Sequence, residues 1–153
     1  MALFNMRDLR GRLRPGQRLI GLDPGAKRVG VAISDPLLMV GSPRPPLARG
    51  KMAPMAEALR ALALREDAGG LVVGLPLSLD GSFGPAAQAA KDWAAAMSEA
   101  TGLPAALWDE RLSTAAAARL LTEGADLSRR RRTDAVDSVA AAWTLQAALD
   151  ASA

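Results

Sequence analysis

Arg18-Leu-Ile-Gly-Leu-Asp23-Pro-Gly-Ala-Lys-Arg-Val-Gly-Val-Ala-Ile-Ser34 consists of two short apolar runs on either side of a Pro-Gly turn. Apolar runs bounded by turn residues read as strands. The stretch therefore predicts a hairpin, with strands over Arg18–Asp23 and Val29–Ser34. Downstream, the Pro-rich stretch Gly41 to Pro46 leads to a predicted short third strand around Pro46–Ala48. Met55, Leu59, Leu62 and Ala63 fall at helical spacing within Met52–Glu66. Gly69-Gly70 ends that helix, and the unbroken apolar run Leu71–Leu75 reads as a buried strand. A loop over Pro76–Gly84 leads into an Ala-rich helix, Pro85–Ala100, with proline at its start. Then come a strand over Pro104–Trp108, a short helix over Thr114–Thr122, a basic loop over Glu123–Thr133 and a last helix over Asp134–Leu149. Residues 1–17 read as a basic N-terminal arm, broken from the rest at Pro15-Gly16. The order predicts a single α/β domain over residues 18–153, a mixed central sheet flanked by helices.

Half of the 153 residues are hydrophobic, enough to build a core, but only 3% are aromatic. So few rings argue against a binder that stacks successive bases. With no Cys in the chain, disulfides and Cys-ligated zinc are excluded. The absence of His removes Ser-His catalysis and histidine ligation together. A metal here must bind oxygen, which favours Mg2+ or Mn2+. Net charge is +3, yet arginines crowd two places: Arg7, Arg10, Arg12, Arg14 and Arg18 near the start, and Arg129, Arg130, Arg131 and Arg132 near the end. The guanidinium fork suits phosphate oxygens, although a solvated basic surface has the same composition. No apolar stretch approaches membrane-span length, and residues 1–17 lack the apolar segment of a signal peptide. The expected location is cytoplasmic.

Three acids stand where chemistry can be built. Asp23 ends a strand just before Pro24-Gly25, a place that also suits a plain Asx-turn. Glu110 follows the strand over Pro104–Trp108, next to Asp109. Strand alternation puts those two on opposite faces, and a surface ion pair with Arg111 is the alternative for Glu110. Asp137 lies near the start of the last helix, flanked by the apolar stripe Val136, Val139, Ala140, Trp143 and Ala147. There a bound cation would offset the cost of a carboxylate at the edge of the core. Asp134 and Asp137 also read as an N-cap and its N3 partner; the capping role is assigned to Asp134 and the metal role to Asp137. Together Asp23, Glu110 and Asp137 fit two-metal phosphodiester hydrolysis, with hard cations ~4 Å apart and no histidine needed. The basic arm and the Arg129–Arg132 run would hold the nucleic-acid backbone.

Four segments in series resemble the YqgF family, also called RuvX, whose members are described as Holliday-junction resolvases and as pre-16S rRNA nucleases. They are Gly21-Leu-Asp-Pro-Gly-Ala-Lys-Arg-Val-Gly-Val-Ala32, Val73-Gly-Leu-Pro-Leu-Ser-Leu-Asp-Gly81, Asp109-Glu-Arg-Leu-Ser-Thr114 and Val136-Asp-Ser-Val-Ala-Ala141. The resemblance implies an RNase H-like fold and a metal-dependent nuclease that matures the 5′ end of small-subunit ribosomal RNA. It implies Asp23, Glu110 and Asp137 as catalytic acids and metal ligands. Lys27, Arg28 and Arg111 lie within the matching segments and join the arginine run as candidate nucleic-acid contacts. Ala26 stands where the family commonly has Thr or Ser, and Ser78 where it commonly has Asn.

Branched DNA is the alternative substrate to precursor rRNA, since a metal site reads phosphate rather than base or sugar. An actin- or sugar-kinase-like ATPase would share the Asp23-Pro-Gly25 turn but needs two such domains. A non-catalytic RNA-binding module would have no need of the three acids. The expected assembly is a monomer or homodimer with no membrane partner.

Overall fold

A computed structural model of the chain describes residues 3–76, 84–109 and 129–153, with the backbone alone over 129–137. Its elements are β1 (Leu3–Phe4), α1 (Met6–Gly11), β2 (Arg18–Pro24), β3 (Arg28–Ser34), β4 (Gly41–Ala48), α2 (Met52–Glu66), β5 (Ala68–Leu75), α3 (Pro85–Thr101), β6 (Ala105–Asp109) and α4 (Arg129–Ala151). The strands form one sheet in the order β1-β6-β5-β2-β3-β4. β2, β3 and β4 are antiparallel neighbours, whereas β2, β5, β6 and β1 run parallel. The predicted hairpin and mixed sheet are therefore present. The parallel half follows from its connections: α2 carries the chain from β4 to β5 and α3 from β5 to β6, as parallel pairing requires.

Two cores fill the two faces of the sheet, and strand alternation decides which side chain joins which. Ile20 and Leu22 of β2, Val29 and Val31 of β3, and Leu71 and Val73 of β5 pack with Met55, Leu59, Trp93 and Met97 of α2 and α3. On the other face, Leu19, Ala32, Val72 and Ala106 pack with Met6 and Leu9 of α1 and with Ala141, Leu145 and Leu149 of α4. The scarcity of rings is made good by Leu, Val and Ala. Each wholly buried leucine contributes about 1.5–3 kcal/mol.

Helix ends follow local chemistry. Pro85 opens α3 behind Gly84, and Gly102, at φ 75°, closes it by donating its amide to the Ser98 carbonyl. α2 closes on Asp67 at φ 53°, a left-handed cap without glycine. No helix among the described residues is long and apolar enough to cross a membrane.

Several boundaries differ from the sequence expectation. The segment before residue 18 is built into the fold rather than preceding it: Leu3 and Phe4 pair in parallel with Ala105 and Ala106, and Leu9 is wholly buried. Its few apolar residues are spaced to dock, and its arginines mask that pattern. β4 covers all of Gly41–Ala48 despite three prolines, because as the edge strand it has only one side to pair. α4 starts at Arg129, so Arg129–Arg132 form its first turn rather than a loop. Asp134 then lies inside the helix and cannot be its N-cap. The predicted helix over Thr114–Thr122 lies outside the described residues.

Candidate active site

β2 delivers Asp23 to the carboxyl edge of the parallel strands. Leu19 packs toward α4, while Ile20 and Leu22 pack toward α2 and α3. By alternation, Gly21 and Asp23 share the α4 face. Asp23 is half-buried and pairs across β3 with Gly30. On its other side, Leu22 pairs with Val73 and Gly74 pairs with Trp108. Paired residues share a face of the sheet, so Gly30, Asp23, Gly74 and Trp108 form one row across four strands. The two glycines add no side chain to the row beside Asp23.

The turn after Asp23 is fixed by its own backbone and by one arginine. The Gly25 amide donates to the Arg28 carbonyl at 2.8 Å. A Cβ on Gly25 would lie 2.9 Å from that same oxygen, which only glycine avoids. Arg49 donates its Nη1 to the Gly25 carbonyl at 2.7 Å and its amide to the Lys27 carbonyl at 2.9 Å. Arg49 was not singled out from the sequence; its role depends on the β3–β4 pairing, which sets Arg28 beside Ala48. Lys27 is exposed and Arg28 half-buried at the start of β3. On the α3 side, the turn borders a cleft of about 260 Å³ lined by Pro24, Gly25, Arg49, Gly74 and Trp93 among others.

α4 lies close against the sheet because glycine lies beneath it. A Cβ on Gly21 would come within 2.8 Å of Leu145 Cβ and 3.1 Å of the Ala141 carbonyl, and one on Gly41 within 3.1 Å of the Ala142 carbonyl. The Gly41 amide donates to Gln146 Oε1, and the Ser138 hydroxyl donates to the Arg44 carbonyl. Going back along α4 from Gln146 to Ser138 thus follows β4 from Gly41 to Arg44 and, through the register, β3 from Ser34 to Val31 and β2 toward Asp23. α4 therefore runs opposite to β2, with its N-terminal half at the Asp23 end. Its buried residues are Ser138, Ala141, Ala142, Thr144, Leu145, Ala148 and Leu149, rather than the predicted set containing Trp143 and Ala147, which are only partly buried. Asp137 stands four residues, about one turn, before Ala141.

The remaining candidates divide between placed and outside. Asp109 ends β6 opposite Leu75 and shares the α2–α3 face with Ala105 and Leu107, away from Asp23. Glu110 and Arg111 lie outside the described residues. The side chains of Asp137 and of Arg129, Arg130, Arg131 and Arg132 are likewise outside them. Among the described residues no group of three or more His, Cys, Asp or Glu side chains gathers as a metal cluster.

The fold is that of an RNase H-like α/β protein. RuvC of Thermus thermophilus, solved in complex with a Holliday-junction substrate, superposes with a TM-score of 0.51 at 14% identity, over 84% of this chain and 91% of that one. The chain belongs to the RuvX family, described as Holliday junction resolvase, whose family model matches residues 17–151. It is 58% identical over its whole length, and over 99% of the relative, to a protein of Gluconacetobacter diazotrophicus named "Putative pre-16S rRNA nuclease". A protein of Gluconobacter oxydans with the same name is 56% identical, covering 99% of this chain and 95% of that protein.

Proposed function

We propose that this protein is a divalent-metal-dependent nuclease that hydrolyses phosphodiester bonds in precursor 16S rRNA, trimming its 5′ end. The observation that carries the reading is the row Gly30-Asp23-Gly74-Trp108 at the carboxyl edge of the sheet, with the N-terminal half of α4 directed to the same end and face. A half-buried carboxylate at this edge of the sheet offers oxygen ligands to a divalent cation. Glu110, in the segment Asp109–Thr114 that resembles the family, is assigned to the same centre. Position 137 precedes Ala141 by one helical turn in the buried stripe. Asp23, Glu110 and Asp137 would then serve the same centre.

The donor chemistry fits a hard cation: in a chain without His or Cys, carboxylate oxygens are the natural ligands, and Mg2+ or Mn2+ takes oxygen. When bound, such a cation activates water and stabilises the leaving oxygen of a phosphodiester. The chain's own residues hold and orient the substrate. Arg49 and the Gly25–Arg28 hydrogen bond keep the turn rigid, so Lys27 is presented to solvent beside Asp23. Lys27, Arg28, Arg111 and Arg129–Arg132 supply positive charge for the strand's phosphates. The work is that of a protein within the cytoplasm, acting as a monomer or homodimer.

The reading of a resolvase cutting branched DNA keeps the same acids and is favoured by the description of the family model. Incubating the protein with precursor 16S rRNA and with a four-way DNA junction, each with Mg2+, with Mn2+ and with chelator, separates the two. Metal-dependent cleavage of the RNA at its 5′ flank is the expected result. Cleavage of the junction alone would establish the resolvase reading, and cleavage of neither would remove the nuclease.

A further inference from the structure

α3 turns a face of small residues toward the turn that follows Asp23. Ala86, Ala89, Ala90 and Trp93 fall at i, i+3, i+4 and i+7, one side of a helix. All four line the cleft of about 260 Å³ on the α3 side of the sheet, whose other walls include Pro24, Gly25 and Gly74. Alanine leaves that space open; a longer side chain at exposed Ala86 or Ala89 would occupy it. Pro24 directly follows Asp23, so the wall of the cleft begins about 3.8 Å along the chain from the acid. Arg49 lines the cleft as well, and its guanidinium is fixed there by donating to the Gly25 carbonyl at 2.7 Å. Among the described residues no acidic side chain lines it. Mostly apolar walls with a few fixed polar groups are the make-up of a ligand pocket.

Trp93 brings a donor that the protein itself does not use. The residue is only 9% exposed, and its buried Nε1 has no acceptor among the described residues. A buried indole N–H ordinarily finds a partner, because leaving it unpaired is costly. Trp108 and Trp143 share the shortfall, but neither lines this cleft. The broad χ2 torsion of tryptophan lets the indole turn its N–H to an acceptor in the cleft. Indole and guanidinium both donate and accept nothing, so an occupant must carry acceptors. The alanine walls favour one with apolar faces and would strip water from a bare phosphate without repaying it. A nucleobase meets both demands: it is flat, stacks on a guanidinium plane or an aromatic ring, and carries acceptors on its edge. One pocket needs one ring, which a chain with 3% aromatics can supply.

We propose that this cleft is a base pocket: it takes the splayed-out base of a nucleotide adjoining the phosphate at Asp23, stacked against Arg49, with Trp93 Nε1 donating to an acceptor on the ring edge. The nucleotide beside the cut is then an unpaired one, since a base inside a duplex enters such a pocket only by leaving its stack. The proposal rests on the nucleic-acid reading above and deepens it. The three acids act on phosphate, which is the same for every nucleotide, whereas the cleft reads a base.

The test is binding in chelator, where no hydrolysis occurs. The probe is a short single-stranded RNA from the 5′ flank of precursor 16S rRNA, with one nucleotide at a time replaced by an abasic ribose, and affinity is read by fluorescence anisotropy. The wild-type protein loses affinity roughly tenfold at one position, the size expected of one stacked base, and little at its neighbours. Ala89→Leu fills the cleft from an exposed position and abolishes that penalty, while the salt slope stays the same because no charge is altered. Trp93→Phe keeps a ring but removes the N–H, and shrinks the penalty by roughly threefold. Ala96→Leu makes the same change at an exposed position of α3 outside the cleft and keeps the wild-type pattern. Melting curves show that each variant is folded. An equal penalty in wild type and Ala89→Leu overturns the proposal, as does a wild-type protein that binds the strand with no position-specific penalty. With Mg2+ or Mn2+ the sensitive nucleotide adjoins the bond that is cut; one remote from that bond overturns the proposal as well. A position-specific penalty without any metal-dependent cleavage removes the nuclease reading and leaves the pocket, whereas a folded protein that binds no RNA ends both.

Discussion

Gly21 shows how one missing side chain sets the position of a helix. A Cβ there would sit 2.8 Å from Leu145 Cβ, closer than packed atoms come, so α4 must shift or tilt. Gly21→Val is expected to destabilise the protein by about 1–3 kcal/mol, the usual cost of overpacking, seen as a lower midpoint in urea. An unchanged midpoint would mean that α4 does not rest on β2. Asp35 makes a separate residue-scale prediction. Burial acts to raise its pKa, but hydrogen bonds from the amides of Val40, Met39 and Leu37 outweigh this and hold it below the ordinary 3.8. The folded-state value is the depressed one. Its contribution to stability is therefore present above 3.8 and is lost as pH falls through the lower folded value. Asp35→Ala should melt earlier than wild type at neutral pH and nearly with it in strong acid. A gap that widens in acid would refute the assignment.

At the scale of elements, the sequence was most legible where periodicity and punctuation agreed. Met52–Glu66 is the helix its apolar spacing predicts, and the hairpin around Pro24-Gly25 pairs as two strands. It was least legible where composition masked geometry. Prolines hid the first half of β4, because an edge strand tolerates what a central one does not. Arginines hid α1, whose docking depends on two buried side chains, Met6 and Leu9. Leu9, fully buried against Gly70 and Leu19, should cost about 2–5 kcal/mol as Leu9→Ala. Deleting residues 1–11 should lower the melting temperature further; a truncated chain as stable as the whole would return this segment to the status of a free arm. The apolar stripe of α4 was misplaced because its alanines look alike in sequence, and only contact with the glycines of β2 and β4 selects Ala141 and Ala142. The run Arg129–Arg132, in the first turn of α4, makes a charge prediction. Replacing it with alanine should lower the salt slope of nucleic-acid binding by roughly 0.7–0.9 per lost phosphate contact, and an unchanged slope would mark it as a solvated surface.

The described residues form one mixed sheet, and the proposed chemistry lies at the carboxyl ends of its central strands. That placement was partly readable: Asp23 before a Pro-Gly turn could be located from sequence, but its position in a row with Gly30 and Gly74 requires the strand order β5-β2-β3, which no local pattern encodes. Alternation along β6 puts Asp109 on the face away from Asp23, and Glu110 is the proposed partner. The central claim is that Asp23 serves as a metal-binding carboxylate. Asn keeps its shape and suits a turn equally well, but it lacks the charge that holds a divalent cation. The decisive measurement is Mg2+- or Mn2+-dependent cleavage of precursor 16S rRNA by Asp23→Asn, with thermal melting recorded alongside in metal and in chelator. The account predicts a folded protein, as stable as wild type or more so without metal because carboxylate repulsion is relieved, that has lost most hydrolysis and most of its stabilisation by metal. Full cleavage by a normally folded Asp23→Asn would contradict it.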